Sequence, residues 1–141
     1  MEALLDNISN LNWIAVVVAT LAAFAVGAIW YTPALFGKPW MKAIGLTEKD
    51  TKNADMVRPI VLTLVGTFVS AVAIGVLVQV LALTSVWQGA TFGVMVALSL
   101  LATNKLMQAQ FELRPISYNV ITTGADVVAL GIMGAILAVW R

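Results

Sequence analysis

The stretch IVLTLVGTFVSAVAIGVLVQVLAL, residues 60–83, carries no charged side chain from end to end. A bilayer core about 30 Å thick takes about 20 helical residues, so a run of this length reads as a membrane span. Three further stretches share its character, at residues 12–31, 86–106 and 116–140. Their charges are few: Lys105 at the edge of one and Asp126 within another. Lipid offers no hydrogen-bond partner to backbone N–H and C=O groups, so each span must be a helix or a strand of a closed barrel. None of the four shows the alternating polarity of barrel strands. The expected fold is therefore all-α: a polytopic membrane protein, one domain over residues 1–141, with four transmembrane helices.

Composition points the same way. Apolar residues make up 61% and charged residues 11% of the chain, against about 45–50% and about 25% in soluble proteins. So few charges could not cover a water-exposed surface. Eight basic and seven acidic residues leave a formal net charge of +1, which gives no reason to expect a nucleic-acid partner. His and Cys are both absent. That excludes disulfides, thiol nucleophiles, imidazole bases and zinc sites built on Cys or His, and a lone Asp126 has no second acidic residue within a span. No enzymatic activity, metal or cofactor is expected. Glu2 and Asp6 stand where a signal peptide would carry basic residues, so the first helix is expected to remain in the mature protein.

Cations set the expected orientation. Lys38, Lys42, Lys49, Lys52 and Arg58 lie between the first two spans, and Lys105 and Arg114 lie at the link between the last two. Arg141 alone belongs to the opposite face. By the positive-inside tendency both basic loops should be cytoplasmic and both termini outside, in a multi-pass protein of the cell membrane. Trp13, Trp87 and Trp140 would mark the outer interface, and Trp30, Tyr31, Trp40 and Tyr118 the inner one. Residues 33–45 mix Leu35, Phe36, Trp40, Met41 and Ile44 with Lys38 and Lys42. That pattern suits a short interfacial helix after the first span. Thr47-Glu48-Lys49-Asp50 then reads as a polar turn or the start of the approach to the second span.

Small residues recur every four positions: Ala15, Ala19, Ala23 and Gly27 on the first span, Gly89, Gly93 and Ala97 on the third. On the fourth, Gly131 pairs with Ala135 and Gly134 with Ala138. Such faces let helices approach closely in lipid, where association rests on backbone packing. They could meet within one chain or in a homo-oligomer, with membrane lipids as the remaining partners. Asn104, Gln108, Glu112 and Arg114 form a polar cluster at the cytoplasmic end of the third span, suited to solvation or to a headgroup.

Gly27-Ala28-Ile29-Trp30-Tyr31-Thr32-Pro33 followed by Leu35-Phe36-Gly37-Lys38-Pro39-Trp40-Met41 resembles the first signature of the family numbered 1761 among domains of unknown function. Phe111-Glu112-Leu113-Arg114-Pro115 and Met133-Gly134-Ala135-Ile136-Leu137 are similar to its later motifs. The resemblance implies a small bacterial membrane protein without an assigned activity. After Gly124, where that pattern leads to a bulky aromatic and a neutral polar residue, this chain has Ala125 and Asp126. No family role therefore carries over to position 126.

Asp126 stands out physically. It lies about 15 Å into the fourth helix from Ile116 at 1.5 Å per residue, near the bilayer centre. An aspartate there costs about 2.5–3.5 kcal/mol on insertion scales, so it should be paired, protonated or turned to a polar cavity. Lys105, about 6 Å away in depth by helical rise, can reach it by snorkelling. Asp126 with Lys105 is thus the candidate ion or proton site, of a small channel or transporter or of a structural ion pair. The alternative is an accessory protein that binds lipid or another membrane protein. Cysteine labelling checks the orientation, because the chain has no native Cys. A membrane-impermeant thiol reagent added outside intact cells should modify Cys introduced at Glu2 or Arg141, and protection of either position would reverse the orientation.

Overall fold

A computed structural model describes residues 2–140, with side chains from Leu5 onward. The Glu2 side chain and Arg141, on which two of the sequence expectations rest, lie outside the described residues. The elements are α1 (Glu2–Ser9), α2 (Trp13–Trp30), α3 (Gly37–Ile44), α4 (Glu48–Asn53), α5 (Val57–Val80), α6 (Val86–Val96), α7 (Thr103–Phe111) and α8 (Ile116–Val139). A π-helical turn over Ala97–Ala102 joins α6 to α7 into one rod, Val86–Phe111. With α2, α5 and α8 this rod makes four helices long and apolar enough to cross a membrane. The protein is a four-helix, multi-pass membrane protein by that measure.

Helix ends differ from the sequence reading for identifiable reasons. α5 begins at Val57, ahead of Pro59, because Pro in a first turn lacks only an N–H that would find no helical partner there. Asp55 Oδ1 accepts from the Val57 N–H at 3.0 Å. α5 ends at Val80, short of Leu83, in a Schellman arrangement: the Leu83 N–H donates to Val78 O and the Ala82 N–H to Gln79 O. Ala82, with φ 51°, takes the left-handed position where a glycine is usual. Leu113, with φ 55°, does the same after α7. Residues 104–110, four of them polar, continue the third rod to Phe111, since nothing breaks the helix before Pro115.

Within residues 33–45 the first four make a turn, and α3 starts at Gly37 and ends on Gly45 at φ 75°. Residues 47–50 open a separate short helix, capped reciprocally by Thr47 and Asp50. The Thr47 hydroxyl and N–H hold the exposed Asp50 carboxyl below its ordinary pKa. A second capping box, Ser85 with Gln88, starts α6. α1 was not anticipated as a helix. Ile8 and Leu11 tie it to the bundle, where Leu11 Cδ2 would stand 3.0 Å from a Cβ on Gly75.

Backbone contact is closest between α6 and α8. A Cβ on Gly89 would collide with the Gly134 carbonyl, and one on Gly93 with the Leu130 carbonyl. Gly134 is closed in the same way by Gly89. Gly131 is less tight, with Val94 Cγ2 at 3.3 Å. The small faces of the third and fourth spans therefore meet within the chain. Ala97, the next member of the series, is fully buried. On α2, Ala15, Ala19 and Ala23 are buried in a core with Val16, Ala71, Ile74, Val78 and Met133. Gly27 departs from the expected series: a Cβ there would meet nothing within 4 Å, because the four-residue step drifts about 40° round the helix each time.

The first half of α5 is different. From Val57 to Ser70 every residue is exposed except the half-buried Thr67, while the second half buries Ala71, Ile74, Gly75, Val76 and Val78. Thr67 and Ser70 donate to the carbonyls of Thr63 and Gly66 four residues back, so their hydroxyls are satisfied within the helix. Gly93→Leu forces the α6 and α8 backbones apart and should destabilise the protein by about 3 kcal/mol or more. Gly66→Leu, into open space, should leave thermal unfolding in detergent within a degree or two of the parent. Equal melting temperatures for both variants would contradict the packing.

Candidate intramembrane ion-pair site

Lys105 Nζ donates to Asp126 Oδ2 at 2.5 Å, a direct ion pair between α7 and α8 inside the apolar bundle. Two features of the fold bring it about. Antiparallel helices lean their Cα–Cβ bonds towards their own N-termini, so Lys105 and Asp126 lean towards each other in depth. The π turn does the rest. In a regular α-helix, four-residue steps from Gly93 would carry position 105 about 120° off the α8 face. A turn closed by i→i+5 bonds winds less per residue and keeps Ala97, Lys105 and the buried Ala109 turned to α8. Ser99 and Thr103 hydroxyls bond the carbonyls of Met95 and Ser99, partners for backbone oxygens where the helical ladder is displaced.

The pair is part-covered, with 33% of the Lys105 side chain and 20% of the Asp126 side chain accessible. Around it the N-terminal half of α8 is held by aromatic residues. Trp30 Nε1 donates to the Ile121 carbonyl at 3.0 Å, and its ring lies where a Cβ on Gly124 would come within 2.7 Å. Phe36 stacks on Trp30 at 4.5 Å, and Trp40 meets Tyr31 edge-on at 5.3 Å. Asp126 and Tyr118 both lie within Coulombic reach of Tyr31. The Arg114 guanidinium lies over the Tyr118 ring, 5.7 Å from its centre.

The chain turns from α2 into α3 in very little space. Gly37 N–H donates to Thr32 O at 2.9 Å, and a Cβ on Gly37 would overlap the Tyr31 carbonyl. The Trp30–Pro33 and Phe36–Trp40 segments thus build a structural corner that seats the Trp30 indole as a clamp on α8. Of the polar cluster at the end of the third span, Glu112 pairs with Arg114 at 3.5 Å, while Asn104 and Gln108 are exposed. Among the described residues no three acidic side chains gather to hold a metal.

A family model described as protein of unknown function, DUF1761, matches residues 14–138. The chain belongs to this family. No curated protein and no solved structure matches it. The DUF1761 match spans α2 to α8, so it includes the aromatic corner, the glycine contact and the ion pair.

Sequence reading missed Asn119. Its amide is buried, 6% exposed, and neither Nδ2 nor Oδ1 has a hydrogen-bond partner. Asn119, Thr122 and Asp126 stand at i, i+3 and i+7, so a search for polar residues at helical spacing on the fourth span would have found the stripe. A double-mutant cycle on Lys105→Met and Asp126→Asn should give a coupling of about 1 kcal/mol or more in unfolding experiments. Deleting exposed Leu100 from the π turn should bring that coupling close to zero, because every residue beyond it rotates by about 100°. Undiminished coupling in the deletion variant would show that the π turn does not aim Lys105.

Proposed function

We propose that this protein is a small channel or transporter in which the Lys105–Asp126 pair is the intramembrane ion or proton site. The observation that carries the reading is the pair itself, a part-accessible charge pair near mid-span on the most tightly packed helix of the bundle. An ionisable residue at that depth marks a substrate or proton path more often than chance, since its insertion is costly. The proposed setting is the cell membrane with the basic loops cytoplasmic. The aromatic corner and the α2–α8 contact bring both basic segments to one end of the bundle, which agrees with that orientation. A homo-oligomer is part of the proposal, because one chain leaves the inner half of α5 unpacked.

The role is taken as non-enzymatic. Lys105 pairs with Asp126, Thr122 and Thr123 stand one turn before it on α8, and none of these is an activated nucleophile.

A second reading has its own support. An open groove of about 310 Å³ between α2 and α5 is lined by Val17, Thr20, Leu21, Leu64, Val65 and Phe68 and is wholly apolar at its surface. An accessory protein would hold a lipid chain or a partner's helix there, and Lys105–Asp126 would then be structural.

Proteoliposomes separate the two. With protein present, an imposed gradient should drive proton or monovalent-cation flux, and Asp126→Asn should lower it at least tenfold with the fold intact by circular dichroism. A folded parent protein that passes neither protons nor cations would end the transport reading and leave the accessory one.

A further inference from the structure

We infer that Asn119 holds water, and that Asn119 and Thr122 form a hydrated file leading from the loop end of α8 to Asp126. The proposal deepens the transport reading and rests on it for its purpose, although the water site can be tested independently.

The case starts from an unsatisfied amide. Burying a polar group without a partner is costly, and Asn119 presents both a donor and an acceptor in that condition. Buried polar groups of this kind are the usual anchors of internal water, which makes about three hydrogen bonds. An amide that must give one hydrogen bond and accept another suits water better than an anion or a cation, either of which would satisfy only one of its ends.

Position supplies the second argument. Asn119 lies seven residues before Asp126, two turns along the helix and about 20° from it in direction, so both occupy one face. Thr122 lies between them, buried, with its hydroxyl proton donated to the Tyr118 carbonyl at 3.0 Å. Its oxygen remains able to accept. The helical rises are about 4.5 Å from Asn119 to Thr122 and about 6 Å from Thr122 to Asp126, spacings that single waters bridge.

The face is turned to α7. Lys105 reaches Asp126 from that helix, and Ala109, one turn nearer the loop, is 1% exposed. By register, Gly93 lies against Leu130; twelve residues on is Lys105 and eleven residues back is Asn119. The Lys105 backbone is therefore at about the level of Asn119, and its side chain runs along the same face towards Asp126.

A file of this kind gives the ion pair a way to respond. A proton passed from hydronium to an Asp126 oxygen forms an O–H bond, leaves a water behind, and removes the negative partner of the Lys105 ammonium. Water at Asn119 and Thr122 then solvates the released ammonium within the same face. Tyr31 and Tyr118 are the other titratable groups at this end of α8, and Arg114 caps it over the Tyr118 ring.

The test uses single cysteines in a chain that has none. The cysteine thiolate attacks a cationic methanethiosulfonate reagent, forming a mixed disulfide and releasing methanesulfinate, and the thiolate forms only where water reaches the side chain. Asn119→Cys and Thr122→Cys should react at least tenfold faster than Val120→Cys, whose parent side chain is 68% exposed on the outer surface of the helix. Equal or slower reaction at position 119 overturns the water site. Flux then separates this inference from the reading beneath it. Asn119→Leu should lower proton flux at least tenfold while the melting temperature holds or rises, and Asn119→Ser should restore part of it. Flux that Asp126→Asn abolishes and Asn119→Leu leaves whole would overturn the file and keep the transport reading. A parent protein without flux would remove the transport reading, and fast labelling at positions 119 and 122 would still establish the water.

Discussion

The contact of Gly89 and Gly93 with the backbone of α8 at Leu130, Gly131 and Gly134 is the constraint on which the rest of the bundle depends. In lipid there is no hydrophobic force between helices, because hydrocarbon surrounds them whether they touch or not. What remains is packing, and it is strongest where two backbones meet without side chains between them. α6 meets the second half of α8 in this way, and the contact fixes their register. That register decides which residues of α7 and the first half of α8 can reach each other.

The ion pair follows from this register together with the π turn. Close packing alone would carry a regular helix past α8 with Lys105 turned off the face. The wider winding at Ala97–Ala102 lets the rod keep one face on α8 through five turns and present Lys105 to Asp126. π turns are costly for the backbone and recur at functional sites. Here the turn is the element that converts a packing interface into a polar one. The rod is glycine-packed in its first half, then underwound and hydroxyl-bonded just before the charged residue.

The other half of the molecule is built on different terms. α2 crosses α8 and places the Trp30 ring over Gly124, while the Gly37 corner folds α3 back so that Phe36 and Trp40 cover the clamp. α5 is held mainly through residues 71–80, against Leu11, α2 and Leu137, with Phe68 stacked on Trp13. Its first half lies apart from the bundle and opens the apolar groove beside α2. One side of the protein is therefore tightly registered and carries the polar stripe, and the other is loosely packed and faces hydrocarbon. A moving part would be drawn from the second, where few contacts must break.

The sequence by itself determined the number of spans, their helical nature and the placement of the basic segments at one end, because hydrocarbon imposes length and hydrogen-bond closure on each helix separately. It also exposed Asp126, whose burial cost follows from depth alone, and named Lys105 as the side chain within reach. The small faces of α6 and α8 were legible for the same reason, as a local pattern, whereas residues 47–50 read as a polar turn and form a capped helix of their own. Helix ends at Ala82 and Leu113 were hidden, since no glycine marks these left-handed positions. The open space at Gly27, the π turn and the buried Asn119 were decided only by the tertiary structure. Whether a small residue is a contact, or a polar residue is satisfied, depends on what the neighbouring helix places against it, and that is set by the register of two helices in space.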